Sequence, residues 1–294
     1  MRADADAGRA EVWVVDNGST DRSRELVRDS YGWVNLLEPE ENLGFGRAVN
    51  LVAGRAGGDW IAPANADIEL AEDALERLVD AGERDPHAGV VAPRLILPDG
   101  STQHSVHAFP TPSLALKLAV GAPSVSRGLA ERLCLEGDWD PERPRYVDWA
   151  HGALLLVRRG AWDAIGGFDA EQWMYAEDID LAWRLRERGL RVRYEPAARV
   201  KHAVSAATTK AFGDAGREQR HIAASYAWMM RRQGPVATRL AAAGNVAGAA
   251  TRAAFWSVPA LFASRFRGRR DQYLRYVRRH RLGLRSKAKI LSAA

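Results

Sequence analysis

Four short apolar runs, separated by three stretches with helical spacing, constrain this chain more than any other feature. Residues 11–15, 34–37, 59–64 and 89–92 read as buried strands. Residues 22–30, 47–55 and 71–85 between them read as helices, and 159–165 follows a further apolar run at 152–157. Strands alternating with helices demand βαβ units and a largely parallel sheet. Ligands bind beyond the carboxyl ends of such strands. Asp16 closes the first run, and Asn65 and Asp67 follow the third, so two acidic positions share one sheet edge. Residues 191–194 and 198–202 close the sheet region, and after Ala206 the chain reads as wholly helical.

With 294 residues, 47% of them hydrophobic, the chain has material for one large core or two smaller ones. Cys134 is the single cysteine, which excludes an internal disulfide. The polar opening Met1-Arg2-Ala3-Asp4-Ala5-Asp6 does not read as a secretory leader. Charge divides the chain unevenly. Residues 1–209 hold 24 Lys+Arg against 34 Asp+Glu, a net of −10, whereas 210–294 hold 18 against 3, a net of +15. This predicts two parts, an acidic α/β domain over 1–209 and a basic helical tail over 210–294 that favours a polyanion. Residues 241–266 carry Phe255, Trp256, Val258, Leu261 and Phe262 but are interrupted by Arg252 and Pro259. A span needs ~20 mostly apolar residues, so an amphipathic helix lying on a membrane is the expectation. Arg265, Arg267, Arg269 and Arg270, with Tyr273 beyond them, would then face anionic lipid. A solvated basic face or a dimer helix would leave the same pattern. No recognition motif for nucleic acid accompanies the charge.

Chemistry concentrates after Gly166-Gly167-Phe168-Asp169, where Glu177, Asp178 and Asp180 open a predicted helix. Carboxylates there are stabilised by the unpaired N–H groups and the helix dipole. Leu181 and Leu185 repeat at helical spacing, so the helix packs while its first turn stays available.

Taken in order, Val14-Val15-Asp16-Asn17-Gly18-Ser19-Thr20-Asp21, Glu41-Asn42-Leu43-Gly44-Phe45-Gly46-Arg47-Ala48-Val49-Asn50, Asn65-Ala66-Asp67, Gly166-Gly167-Phe168-Asp169 and Glu177-Asp178-Ile179-Asp180-Leu181-Ala182-Trp183-Arg184 resemble glycosyltransferase family 2. The flavour is that of bacterial rhamnosyltransferases of cell-wall and surface glycan synthesis. The resemblance covers about the first two thirds of the chain. It implies a GT-A fold and inverting transfer of a sugar, with L-rhamnose from a dTDP-linked donor the best single guess. The acceptor would be a polyprenyl-linked or polysaccharide glycan at the cytoplasmic face of the plasma membrane.

By the same resemblance Asp16 holds the donor's base or ribose and Asn17 shapes the loop beneath it, although Asp16 also suits a turn-forming role. Asn42 and Gly44 correspond to a diphosphate-side loop. Asn65 and Asp67 stand in the family's metal-binding acidic motif, where Asn65 replaces the first acid. Asp67 and His202 would hold Mn²⁺ or Mg²⁺, and a helix-capping Asp67 or a purely structural His202 remains open. Asp178 corresponds to the catalytic base and Glu177 to its less favoured neighbour. Trp149, His151 and Gly152 correspond to an acceptor-side segment, where Trp149 fits sugar stacking and core packing equally.

The chain departs from the family at its front. Members open with a strand and helix before the Asp16 strand, yet only Met1 to Ala10 precede Glu11, which leads us to expect that the first βα unit is missing. That departure and Asn65 keep open a non-catalytic remnant that binds no donor. A nucleotidyltransferase is disfavoured, because no lysine occurs before Lys117 to serve a glycine-rich phosphate loop.

Overall fold

A computed structural model describes residues 1–172, 174–203 and 206–291. Trp173, within the acidic motif, lies outside the described residues. Among the described residues the strands are β1 (Trp13–Val15), β2 (Asn35–Leu37), β3 (Trp60–Ile61), β4 (Ile68–Leu70), β5 (Ala88–Ile96), β6 (Val106–His107), β7 (Arg145–Val147), β8 (Trp149–Ala150), β9 (Leu156–Arg158) and β10 (Arg191–His202). The helices are α1 (Arg2–Asp6), α2 (Ser23–Ser30), α3 (Phe45–Ala53), α4 (Ala74–Glu83), α5 (Pro112–Ala119), α6 (Ala122–Val125), α7 (Arg127–Arg132), α8 (Arg159–Ile165), α9 (Glu177–Arg186), α10 (Ala206–Arg232), α11 (Gly234–Phe262) and α12 (Arg267–Leu291).

The main sheet runs β3-β9-β5-β10-β4, with β7 also on β10. Parallel pairing is present: β1 pairs parallel with β2 across α2, and β5 pairs parallel with β10. The sheet is nonetheless mixed rather than mostly parallel. β9 inserts antiparallel between β3 and β5, and β4 and β7 flank β10 antiparallel. β1 and β2 form a separate two-stranded sheet, and a cleft lined by Trp13, Val15, Trp60 and Ile61 lies between β1 and β3.

The core is built on both faces of β5, β9 and β10. On one side Leu78, Val91, Leu95, Leu154 and Val200 pack with α4. On the other, Trp162, Phe168, Ile179, Leu181 and Leu185 bring α8 and α9 onto the sheet, and Tyr226, Trp228 and Met229 of α10 belong to the same buried cluster. The predicted division at 209/210 marks the change of charge, but the core does not divide there. α10 carries enough apolar bulk to finish the core of the acidic part.

No helix among the described residues is long and apolar enough to cross a membrane. α11 instead buries a small-residue stripe. A Cβ on Gly248 would sit 2.7 Å from Ala119 Cα, and one on Gly244 3.2 Å from Ala115 Cβ, so α11 and α5 touch backbone to backbone. Arg252 closes this seam by donating to the Leu118 carbonyl at 2.6 Å.

Candidate functional site

The cleft between the two sheets, about 1440 Å³, continues along the carboxyl ends of the strands. It collects Asn17, Asn65, Asp67, His151, Gly152, Glu177, Asp178 and His202 on its walls. Asp16, Asn42, Gly44 and Trp149 do not line it; the first three brace the loops behind it.

Asp16 follows β1 and is buried. Its carboxylate accepts from Gly18 N–H at 3.0 Å and Ser19 N–H at 2.8 Å, with Arg24 at 3.9 Å. Burial alone would raise its pKa, yet the bonds from Ser19 and Gly18 and the Arg24 charge hold it below the usual carboxylate range. Asn17 bridges to the glycine turn, accepting from Leu43 N–H and donating to the Gly44 carbonyl, both at 3.2 Å. Asn42 accepts from Gly44 N–H at 2.9 Å. Gly44, at φ 72°, lets the chain turn directly into α3.

Asp67 and His202 come together from different elements. His202 ends β10, and Asp67 lies just before β4, whose antiparallel pairing sets Ile68 opposite His202. Their side chains approach to 3.4 Å, Nε2 to Oδ1. Burial lowers the His202 pKa more than Asp67 raises it, so the ring is neutral near pH 7. Gln103 Oε1 lies 2.8 Å from Nδ1, which places the proton there and turns the Nε2 lone pair toward Asp67. Nε2 is buried with no hydrogen-bond partner among the described residues. A lone pair facing a carboxylate is repulsive unless a cation lies between them. The pair therefore fits a divalent ion that takes oxygen and imidazole ligands, with Gln103 orienting the imidazole from behind. No cluster of three His, Cys, Asp or Glu ligands exists among the described residues, so the remaining ligands would come from the donor and water.

Asp178 and Glu177 open α9. Asp178 accepts from Gly152 N–H at 3.0 Å and from Ile179 N–H at 2.8 Å. Burial is the main cause that raises the pKa of both acids, and the Asp178 charge raises Glu177 further. Glu177 Oε2 is buried with no partner among the described residues. Gly152 thus lines the cleft and spends its N–H on Asp178.

His151 meets His107 at 3.0 Å, Nε2 to Nε2. Burial pushes the His151 pKa down to about 3, and burial with the neighbouring histidines pushes His107 down as well. Both rings are neutral, so His151 offers the cleft a hydrogen-bonding group and no charge. Trp149 is 5% exposed. It stacks on His107 with ring centres 4.5 Å apart and donates its indole N–H to the Ala108 carbonyl at 3.1 Å. Of its two sequence readings, the structure displays core packing.

Several participants escape a motif search. Asn50 of α3 forms a two-way bridge to Phe168, accepting from its N–H at 2.9 Å and donating to its carbonyl at 2.8 Å. Asn50 and Phe168 each stand in a quoted motif, but their pairing across 118 positions is not legible from either. Glu218 and His221 of α10 also line the cleft, and His221 packs edge-on to Tyr175 at 5.8 Å. Asp180 is fully buried and accepts from Arg184 and from Arg232 of α10, each at 2.6 Å.

The family model for Glycosyl transferase family 2 matches residues 3–120, and that for Glycosyltransferase like family 2 matches residues 137–224. An N-acetylglucosaminyl-diphospho-decaprenol L-rhamnosyltransferase of Mycobacterium tuberculosis is 37% identical over 203 residues, 65% of this chain. The match spans 66% of that relative's length. A poly-beta-1,6-N-acetyl-D-glucosamine synthase of Staphylococcus aureus is 26% identical over 65% of this chain and 42% of its own. Among solved structures, a mannosyltransferase from Pyrobaculum calidifontis in complex with GDP-Man and Mn²⁺ superposes with a TM-score of 0.56 at 21% identity, over 96% of this chain and 78% of that one. GalNAc-T7 with UDP, GalNAc and Mn²⁺ gives 0.52 at 15% identity, over 77% and 45%. At such identities the structural likeness speaks for the fold. The arrangement of the sheets and the family matches to both halves agree: the chain has a GT-A fold and belongs to glycosyltransferase family 2, in its rhamnosyltransferase-like branch.

Proposed function

We propose that the chain is an inverting, metal-dependent glycosyltransferase that moves a sugar from a nucleoside-diphosphate donor onto a lipid-linked or polysaccharide acceptor. The observation that carries this reading is Asp178, a half-buried carboxylate held by Gly152 N–H and facing the same cleft as the Asp67–His202 pair. Asp178 takes the acceptor hydroxyl's proton as that oxygen bonds to the anomeric carbon. The bond to the diphosphate breaks on the opposite side, and the anomeric configuration inverts. Burial makes Asp178 a stronger base than a solvated aspartate, and its two N–H bonds fix its direction. Asp67 and His202 would hold Mn²⁺ or Mg²⁺, which offsets the charge that builds on the departing diphosphate. Asn17 and Asn65 would meet the donor, while Asp16, Asn42 and Gly44 hold its loops in place. His151 and Glu177 would face the acceptor.

The mycobacterial relative, by name an L-rhamnosyltransferase of N-acetylglucosaminyl-diphospho-decaprenol, supports a rhamnosyl donor, for which dTDP-rhamnose is our choice, and a polyprenyl diphosphate-linked glycan as acceptor. Such an acceptor requires a membrane surface. Phe255, Val258, Leu261 and Phe262 of α11 are exposed, as are Leu116 of α5, the helix seamed to it, and Val120 at the C-cap of α5. Exposed Arg265, Arg267 and Arg269 follow directly. This apolar patch rimmed with arginine supports peripheral binding to an anionic bilayer, at the cytoplasmic face of a bacterial plasma membrane.

Nucleotide release from a panel of nucleotide sugars with Mn²⁺ or Mg²⁺, with membrane extract as acceptor source, tests the reading. Turnover with one donor should fall at least ~10³-fold in Asp178→Asn, while donor binding persists. Its rate should fall at acid pH along a limb that lies above the ordinary carboxylate range near pH 4. The second reading, a non-catalytic remnant, draws on the unpaired facing edges of β1 and β3. Titration of folded protein with donor and Mn²⁺ separates the two, because a remnant binds nothing.

A further inference from the structure

The base helix starts from strained backbone. Tyr175 and Ala176, immediately before Glu177, have φ of 62° and 64°, a left-handed conformation that side chains disfavour. Ala176 is the N-cap of α9 and makes no side-chain cap bond. Something outside the helix must therefore keep its first turn in place.

α10 supplies that support through two adjacent residues. Arg231 donates to the Gln172 side-chain oxygen, and the Gln172 amide donates in turn to the Tyr175 carbonyl. Gln172 is 2% exposed, so this relay is sealed from water. Arg232 donates to Asp180 Oδ1 at 2.6 Å and to Asp169 Oδ2 at 3.0 Å. Asp180 is fully buried, and its other oxygen takes Arg184, whose remaining nitrogens donate to the Ile165 carbonyl at 2.8 Å and the Gly167 carbonyl at 2.7 Å. One helix of the basic tail thus grips both sides of Glu177 and Asp178.

We propose that Arg231 and Arg232 are positioning residues that hold Tyr175, Ala176 and the first turn of α9 so that Asp178 presents its carboxylate to the cleft. This deepens the transferase reading and rests on it for the identity of the base. It also ties the tail to the chemistry, because α10 seats against α12 and forms a wall of the cleft with Glu218 and His221.

The test compares Arg231→Met, Arg232→Met and Arg232→Lys with the full-length wild type. Amide hydrogen exchange reads the clamp without any need for turnover. Residues 174–180 should exchange at least 10-fold faster in Arg231→Met and Arg232→Met, while β5 and β10 keep their protection. In parallel, kcat for nucleotide release should fall 10- to 100-fold with donor Kd changed less than 2-fold, and Arg232→Lys should recover part of the loss. Unchanged exchange at 174–180 overturns the proposal, and so does faster exchange at full kcat. Should Arg232→Met not fold, Arg231→Met decides, since it leaves the Asp180 pair intact. Failure of the transferase reading shows separately, as wild-type protein that releases nucleotide from no donor whatever the exchange result.

Discussion

At the scale of single residues the site stores tension. Glu177 is half-buried beside Asp178, with its Oε2 shielded from solvent, and both acids are easier to protonate in the fold than in water. A carboxyl group whose pKa rises on folding contributes stability below its unfolded value near 4.3, and that contribution drains as pH climbs through the folded value. Glu177→Gln, which mimics the protonated form, should therefore leave Tm unchanged near pH 4. It should raise Tm by about 3 °C at pH 8, where wild type must ionise a group with no partner for Oε2. Differential scanning calorimetry across pH checks this, and a constant offset at every pH would rule it out. His202 makes the complementary case. His202→Ala should weaken Mn²⁺ activation roughly 10- to 100-fold, and Gln103→Ala, which frees the ring without removing it, should weaken it less.

At the scale of elements the α5–α11 seam is a demanding contact between two backbones. Gly248→Val places a side chain where Ala119 Cα already lies 2.7 Å away, so the helices must separate. Overpacking of this kind costs ~1–3 kcal/mol, or a Tm drop of roughly 5 °C. Gly268→Ala in α12 meets nothing within 4 Å and should be neutral or slightly stabilising. Sequence patterning located elements of this size well where they were long or strongly periodic. The helix expected at 159–165 matches α8, and the runs before Asp16 and Asp67 lie within a few residues of β1 and β3. It missed β4, β6, β7 and β8, because two- and three-residue strands have no period to read; their pairing partners define them. The direction of β9 was hidden for the same reason. Asp67, Asp178 and His202 were legible because each follows a recognisable run. The Asp180–Arg232 contact was not, since 52 positions separate its partners and a buried acid looks like any other capping acid in one dimension.

At the scale of the whole molecule, charge and exposed bulk sit on the helical end while the chemistry sits beneath the sheet edge. Binding to vesicles of anionic lipid should weaken as salt rises, and replacing Arg265, Arg267 and Arg269 together by Gln should weaken it about 100-fold at about 1 kcal/mol per charge. Co-sedimentation measures both effects, and equal binding to neutral vesicles would remove electrostatics from the account. The parting of the β1–β2 sheet from β3 has a consequence of a different kind. Each of these strands turns backbone donors and acceptors toward apolar-lined space rather than toward a neighbouring strand. Such borders recruit one another between molecules, so the gap proposed to admit a nucleotide should also be a seam for self-association. Light scattering of the purified chain should rise with concentration, and a saturating donor that occupies the gap should suppress the rise.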